Sequence, residues 1–193
     1  MKTTKRTTLI VLTLLLTVCL VLPFAGCQPK SDYTIGVLQL VKHNALDTAT
    51  KGFVDAVSEA MTKAGKTVTF DVQNAQGDST TCSTIANSFV SKNVDLIMAN
   101  ATAALQASAN ATLTIPILGT SVTEYGVALG LTDFNGTVGN NISGTSDLAP
   151  LTEQADMIVE LVPSAKKIGI LYCSSEPNSK YQADVVKAHL EGL

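Results

Sequence analysis

Arginine is almost absent from this 193-residue chain, since Arg6 is its single copy. All 16 acidic residues lie beyond residue 26, whereas three of the 13 basic residues lie before it, so residues 27–193 carry a net charge of −6. A mildly acidic chain has no electrostatic attraction to phosphate backbones, and the guanidinium groups that hold polyanions are missing. The composition therefore predicts no nucleic-acid partner and no polyanionic ligand.

Signatures of catalysis and of metal or cofactor binding are missing as well. The chain has two histidines, His43 and His189, and no CxxC pair. It contains no GxSxG nucleophile elbow, no P-loop and no dinucleotide-binding glycine motif. Cys82 and Cys173 are too few to build a disulfide scaffold. We therefore predict that the protein is not an enzyme and that it has no metal site and no cofactor.

The N-terminus has the order of a secretory signal. A basic start is followed by an apolar run from residue 9 to residue 22, which is shorter than the ~20 residues of a spanning helix. Two small residues then precede Cys27, as in a bacterial lipoprotein cleavage site. We predict a signal peptide over 1–26, lipidation of Cys27 and a tether over 27–33, which places the protein outside the cytoplasm with a lipid as its only membrane anchor. The alternatives are an ordinary signal peptide with an incidental cysteine and a retained membrane anchor.

Strand and helix patterns alternate after the tether. Apolar runs predict strands, and helical spacing of apolar residues predicts helices between them. The predicted strands cover residues 34–40, 68–73, 94–99 and 115–119. The predicted helices cover residues 45–64, 79–91 and 102–111. Such alternation is typical of an α/β fold with a parallel sheet flanked by helices, and we assign residues 34–132 to a first lobe.

The pattern restarts after a segment rich in Gly, Asn and Thr. We interpret residues 133–147 as a crossing between two lobes. Beyond it the sequence predicts a helix over 151–162, a strand over 167–172 and a helix over 180–190. A single parallel strand cannot bury itself, so we predict that residues 148–193 form a second lobe that is truncated.

The carboxyl ends of the predicted strands are the expected ligand site. Ligands of doubly wound sheets bind at that edge, and here the loops are short, rich in hydroxyl groups and lead into helix N-termini. Helix N-termini offer free N–H groups and a partial positive charge, which favours a small ligand with a carboxylate, such as an amino acid. The alternative is that these Thr, Ser, Asn and Asp residues are ordinary helix caps.

Six blocks of sequence carry a resemblance to a known family. The blocks are Ile35-Gly36-Val37-Leu38-Gln39 with residues 43–47 and 52–53, Asn74-Ala75-Gln76-Gly77-Asp78, residues 95–97 with Ala101-Thr102-Ala103-Ala104-Leu105-Gln106, residues 115–117 with Ser121-Val122-Thr123, Ser143-Gly144-Thr145-Ser146-Asp147, and residues 168–172 with Ser175-Glu176-Pro177-Asn178-Ser179. In this order and spacing the chain resembles the ABC transporter substrate-binding lipoproteins of the tryptophan/tyrosine-binding type.

The resemblance implies a fold, a ligand and partners. It implies a two-lobed type I periplasmic-binding-protein fold that closes on a solute and docks on a membrane permease with a separate ATPase subunit. An aromatic amino acid is the implied solute; branched amino acids, nucleosides and sugars remain alternatives. A sensory lipoprotein that signals to a membrane protein is the alternative role. The implied ligand-binding residues are His43, Asn44, Ala45, Thr102, Ala103, Ser121, Val122 and Thr123, with Glu176, Asn178 and Ser179 facing them from the second lobe.

Overall fold

Five parallel strands form the centre of the structure, a computed structural model that describes residues 31–193. The strands are β1 (Tyr33–Gln39), β2 (Val68–Asn74), β3 (Leu96–Asn100), β4 (Ile117–Val122) and β5 (Ile142–Ser146). The helices are α1 (Asn44–Lys63), α2 (Ser79–Ser91), α3 (Thr102–Ala111), α4 (Tyr125–Leu129), α5 (Leu151–Leu161) and α6 (Pro177–Gly192). The sheet order is β2-β1-β3-β4-β5, so the predicted parallel α/β architecture is confirmed.

Both faces of the sheet carry apolar side chains, because successive residues of each strand point to opposite faces and both sets include apolar residues. Helices therefore cover each face. Helix α1 packs Phe53 and Val57 over Ile35 and Met98 on one face. Helices α2 and α3 cover the other face, where Phe89 is fully buried in the larger core cluster. This is the arrangement expected for a parallel sheet whose strands are buried on both sides.

A glycine in β1 allows α2 to approach the sheet closely. A Cβ atom on Gly36 would lie 2.6 Å from the Phe89 ring. Side chains at that separation collide, so the Phe89 ring can occupy its place only over a residue without a side chain. The N-terminus of α2 lies at the carboxyl edge of the sheet because the helix directly follows the parallel strand β2.

Two elements between residues 123 and 147 were not predicted from the sequence. The short helix α4 follows β4 directly, and β5 lies inside the segment interpreted as a crossing. β5 pairs with β4 in parallel, with a register irregularity between Gly119 and Val122. Its residues Ser143, Gly144 and Thr145 have no apolar pattern, so no strand is predicted there from the sequence.

The strand predicted over residues 167–172 is wrong. These residues have no regular secondary structure and pair with no strand within residues 31–193, and Leu171 is fully exposed. A strand is defined by hydrogen bonds to a neighbour, and none is offered to this segment by the described residues. The following helix α6 begins at Pro177, three residues before the predicted start, because proline is well tolerated in the first helical turn.

Predictions about residues 1–30, including the signal peptide and the lipidated Cys27, lie outside the described residues. Residues Asp32–Leu193 form one compact unit. Within residues 31–193 no helix combines the length and the apolar character needed to cross a membrane.

Candidate functional site

A cavity of 330 Å³ lies at the carboxyl edge of the sheet, against the start of α6. One wall is formed by the loops after β1, β2 and β3, the N-terminal turns of the helices that follow and the end of β4, and residues 175–178 form the other. The lining residues are Leu40, Gly77, Ser79, Ala101, Thr102, Ala103, Gln106, Ser121, Ser175, Glu176, Pro177 and Asn178. The cavity is therefore at the edge where parallel α/β folds bind ligands.

The N-terminus of α3 is open towards this cavity. Its N-cap residue, Ala101, has no side chain that accepts a hydrogen bond, whereas His43, Asp78 and Glu124 cap α1, α2 and α4 through side-chain atoms. The first N–H groups of a helix have no acceptor within the helix. Those of Thr102 and its neighbours therefore remain available to an anion.

Two residues beside the cavity have backbone conformations that side chains disfavour. Ala101 has φ 97° and ψ 160°, and Ser121 has φ 53°. The two segments are joined, because the Ala101 N–H donates to the Thr120 carbonyl over 3.0 Å. Such conformations cost ~1–3 kcal/mol each and concentrate at functional sites. Two of the positive-φ residues other than glycine within the described chain therefore line this cavity.

Tyr125 supports the strand ends behind Ser121. Its phenol donates to the Thr145 carbonyl over 3.2 Å and lies against Gly119 and Gly144, where an added Cβ would collide with the phenol oxygen. Burial, together with the charge of Asp147, raises the pKa of Tyr125 to about 12. The phenol therefore stays protonated and keeps its donor at physiological pH.

The opposite wall is held by bonds within the loop that precedes α6. The Cys173 N–H donates to Ser179 Oγ over 2.9 Å, and the Cys173 Sγ lies 3.1 Å from Ser175 Oγ. Glu176 is the N-cap of α6 but makes no capping bond with its side chain. Its carboxylate is therefore free to meet a cation in the cavity.

The structure brings together five of the eleven site residues predicted from the sequence. Those that line the cavity are Thr102, Ala103, Ser121, Glu176 and Asn178. The sequence did not single out Leu40, Gly77, Ser79, Ala101, Gln106, Ser175 and Pro177 as ligand contacts. No local signal identified Ala101, since its unusual conformation depends on pairing between β3 and β4.

Three predicted residues at the start of α1 lie outside the cavity lining. His43 is exposed, and its Nδ1 accepts from the Ala45 N–H over 3.3 Å, so it caps the helix. Asn44 and Ala45 form the first turn of α1 and are exposed.

The other three also have structural partners. Val122 is fully buried in the core, and its carbonyl accepts from the Asp147 N–H over 3.1 Å. The Thr123 carbonyl accepts from Ser146 Oγ over 2.7 Å, and Thr123 lines a neighbouring cavity of 550 Å³. Ser179 holds the loop before α6 through the bond from Cys173.

The sequence was compared with family models and known proteins. The model of the ABC transporter substrate binding protein family matches residues 34–192, nearly all of the described chain. The chain belongs to this family. Its α/β architecture is the fold of the type I periplasmic binding proteins.

Relatives of this substrate-binding protein include a curated "Tyrosine-binding protein" from Clostridioides difficile (strain R20291), 44% identical over 155 residues, 80% of this chain and 45% of the relative. A Streptococcus structure in complex with L-Trp is 36% identical, with a TM-score of 0.74 over 84% of this chain and 54% of that chain. A ligand-free, open structure of a Clostridium difficile substrate binding protein with adhesive properties is 42% identical, with a TM-score of 0.64 over 83% and 54%. The chain thus spans about half the length of these relatives.

Proposed function

We propose that this substrate-binding protein is an extracytoplasmic lipoprotein that binds an amino acid and delivers it to an ABC permease with a separate ATPase subunit. The observation that carries the proposal is the uncapped N-terminus of α3 at the 330 Å³ cavity. This volume is at the lower end of the range of about 300–1,000 Å³ for small-molecule sites. Family membership supports the transport role.

The charges around the cavity suit a zwitterion. The N–H groups of Thr102 and Ala103 and the partial positive charge of α3 stabilise a carboxylate, with the Ser121 hydroxyl as a further donor. The Glu176 carboxylate on the opposite wall accepts from an ammonium group. A relative is named for tyrosine and another is bound to L-Trp, so we propose an aromatic amino acid as the solute.

The remaining predicted residues belong to the closed form in this proposal. Because residues 142–146 of the predicted crossing belong to the sheet as β5, the hinge in this proposal is the segment that follows β5. Closure about it brings His43, Asn44 and Ala45 against the solute. Val122 and Thr123 then lie beside its carboxylate. Ser179 supports Asn178 on the second wall. The lipid on Cys27 keeps the protein at the membrane, where the permease lies.

Calorimetry on the full chain with a set of tryptophan analogues tests the proposal. We expect L-tryptophan or L-tyrosine to bind, and binding at 100 times the Kd to stabilise the fold by about 2.7 kcal/mol. Tryptamine lacks the carboxylate and indole-3-propionate lacks the ammonium group, so each is expected to bind at least tenfold more weakly than tryptophan. Equal binding of tryptophan and tryptamine would refute the carboxylate site, and no binding of any amino acid would refute the proposed function.

Lipidation is tested separately. In a bacterium grown with labelled palmitate, the full chain is expected to incorporate label and to fractionate with membranes, whereas the Cys27→Ser variant is expected to do neither. Label in the variant would contradict lipidation at Cys27.

A further inference from the structure

Two buried amides end neighbouring strands beneath the candidate site. Gln39 ends β1 and Asn100 ends β3, and the two are register partners. Gln39 is 5% exposed and Asn100 is completely buried. They continue the rows that hold Val37 and Met98 under α1, so aliphatic side chains would pack at these positions without any requirement for partners. Amides are retained in such places for directed hydrogen bonds.

Each donor of the two amides has an acceptor on α1 or the loop before it. Asn100 Nδ2 donates to the Leu46 carbonyl over 2.8 Å and to Thr50 Oγ1 over 2.9 Å. The Thr50 hydroxyl in turn donates to Gln39 Oε1 over 2.7 Å. Because the Leu46 carbonyl can only accept, the orientation of the Asn100 amide is determined, and the hydrogen bonds run in one direction from β3 through α1 to β1.

Gln39 completes the chain of bonds. Its Nε2 donates to the Val41 carbonyl over 2.8 Å and to Asp47 Oδ1 over 2.6 Å. Asn100 Oδ1 has no hydrogen-bond partner within the part of the chain that the structure describes. The donors of Asn100, rather than its acceptor, therefore tie the strand to the helix.

The hydrogen-bonded residues lie next to two helix N-termini beside the site, those of α1 and α3. Asn100 directly precedes Ala101, the strained N-cap residue of α3. The backbone carbonyl of Asn100 accepts from the Leu40 N–H over 3.2 Å. Asp47 lies in the first turn of α1, next to Asn44. A shift of α1 relative to β3 would break the bonds at Thr50, so this chain of bonds fixes the distance between the first turn of α1 and the open turn of α3.

We propose that Gln39, Asp47, Thr50 and Asn100 form a positioning network that holds the first turn of α1 in place against the N-terminus of α3 and thereby sets solute affinity. The solute in this proposal is the one in the proposed function, on which the proposal rests. The four network residues are not in the cavity lining, so they act on solute affinity through the residues that they position. Thr50 is the junction of the network, since its hydroxyl accepts from one strand end and donates to the other.

Three substitutions in α1 of the full chain, titrated with L-tryptophan, test the network. Thr50→Val keeps the shape of the side chain and removes the hydroxyl, so we expect the Kd to rise at least tenfold. Thr50→Ser keeps the hydroxyl and loses a methyl group, so we expect a lower Tm but a Kd within threefold of the parent. Thr62→Val is the matched control, because the Thr62 hydroxyl is exposed and bonds only the Ser58 carbonyl of its own helix.

Amide hydrogen exchange without solute supplies a readout that does not depend on the proposed function. The Leu105 N–H closes the first turn of α3 on the Ala101 carbonyl over 3.0 Å. We expect Thr50→Val to speed its exchange at least tenfold and to leave the Cys82 N–H in α2 unchanged. If the parent chain binds no amino acid, the proposed function fails. The exchange result still shows whether the Thr50 hydroxyl stabilises the first turn of α3. An unchanged Leu105 rate, or a faster rate with an unchanged Kd, would overturn the positioning network.

Discussion

Single residues set the geometry of the cavity through their backbones as much as through their side chains. Ala101 occupies a region of φ and ψ that is nearly reserved for glycine, and its side chain supplies no cap. The open α3 N-terminus therefore follows from the backbone of one alanine, which is stabilised by pairing of β3 with β4. Strain of this kind is expected to be relieved by glycine.

Ala101→Gly is expected to raise the free energy of unfolding by ~1 kcal/mol, because relief of ~1–3 kcal/mol of strain exceeds the entropic cost of a glycine. Urea denaturation at pH 7 measures the change. The matched control is Ala60→Gly on the exposed surface of α1, which is expected to lower stability by about 0.5–1 kcal/mol. A loss at residue 101 as large as that at residue 60 would show that Ala101 is not strained.

Helix caps divide the elements around the cavity into closed and open ends. Asp78 closes α2 by accepting from the Thr81 N–H over 2.6 Å. Hydrogen bonds from Thr81 lower the pKa of the Asp78 carboxyl. Helix α3 begins without such a side-chain cap, so the first N–H groups of the two helices differ in whether a side chain of the described residues caps them.

Asp78→Asn tests the electrostatic part of this cap. The carboxyl has a lowered pKa in the folded protein, so its stabilisation is fully present above the ordinary value near 3.9 and is lost as the pH falls through the folded value. We expect the variant to melt at a lower temperature than the parent at pH 7, and the two to converge as the pH falls below the lowered pKa of the Asp78 carboxyl. Melting curves from pH 2 to pH 7 measure the difference. A gap in Tm that persists unchanged at pH 2 would contradict it.

Asp55→Asn provides a comparison at pH 7. Asp55 pairs with Lys51 on the exposed surface of α1, and such pairs contribute little. Its Tm change is expected to be smaller than that of Asp78→Asn.

At the scale of the whole described chain, hydrogen bonding is uneven. The five strands are joined by parallel ladders, whereas residues 167–172 have no regular secondary structure and make no backbone–backbone hydrogen bond within residues 31–193. Two of their apolar side chains, Leu171 and Ile168, are exposed. Stability is therefore concentrated in the sheet and its helices.

Hydrogen exchange of the full chain is expected to show this division. Peptides that cover 167–172 should exchange within seconds, because unpaired N–H groups are open to water, whereas β1 (Tyr33–Gln39), flanked on both sides, should be strongly protected. Mass spectrometry at pH 7 measures both in one experiment. Protection of 167–172 equal to that of β1 would mean that another strand pairs with this segment.

The sequence predicted well what depends on neighbours along the chain. Helices α2 and α3 begin and end at the predicted residues, Ser79–Ser91 and Thr102–Ala111, because the spacing of apolar residues is a local property. The structure has a cavity at the predicted edge, with Thr102 and Glu176 in its lining, because parallel strands end together; that this cavity binds a ligand stays a prediction.

The sequence by itself thus determined the first four strands, the helices between them, their parallel arrangement and the edge that carries the cavity, because hydrophobic periodicity is a property of short segments. Only the tertiary structure decided the rest. The conformation of Ala101, the inclusion of β5 in the sheet, the unpaired state of 167–172 and the bonds between Thr50 and Asn100 each depend on partners distant in sequence. Such contacts leave no periodic signal in either partner, so they become visible only when the chain is folded.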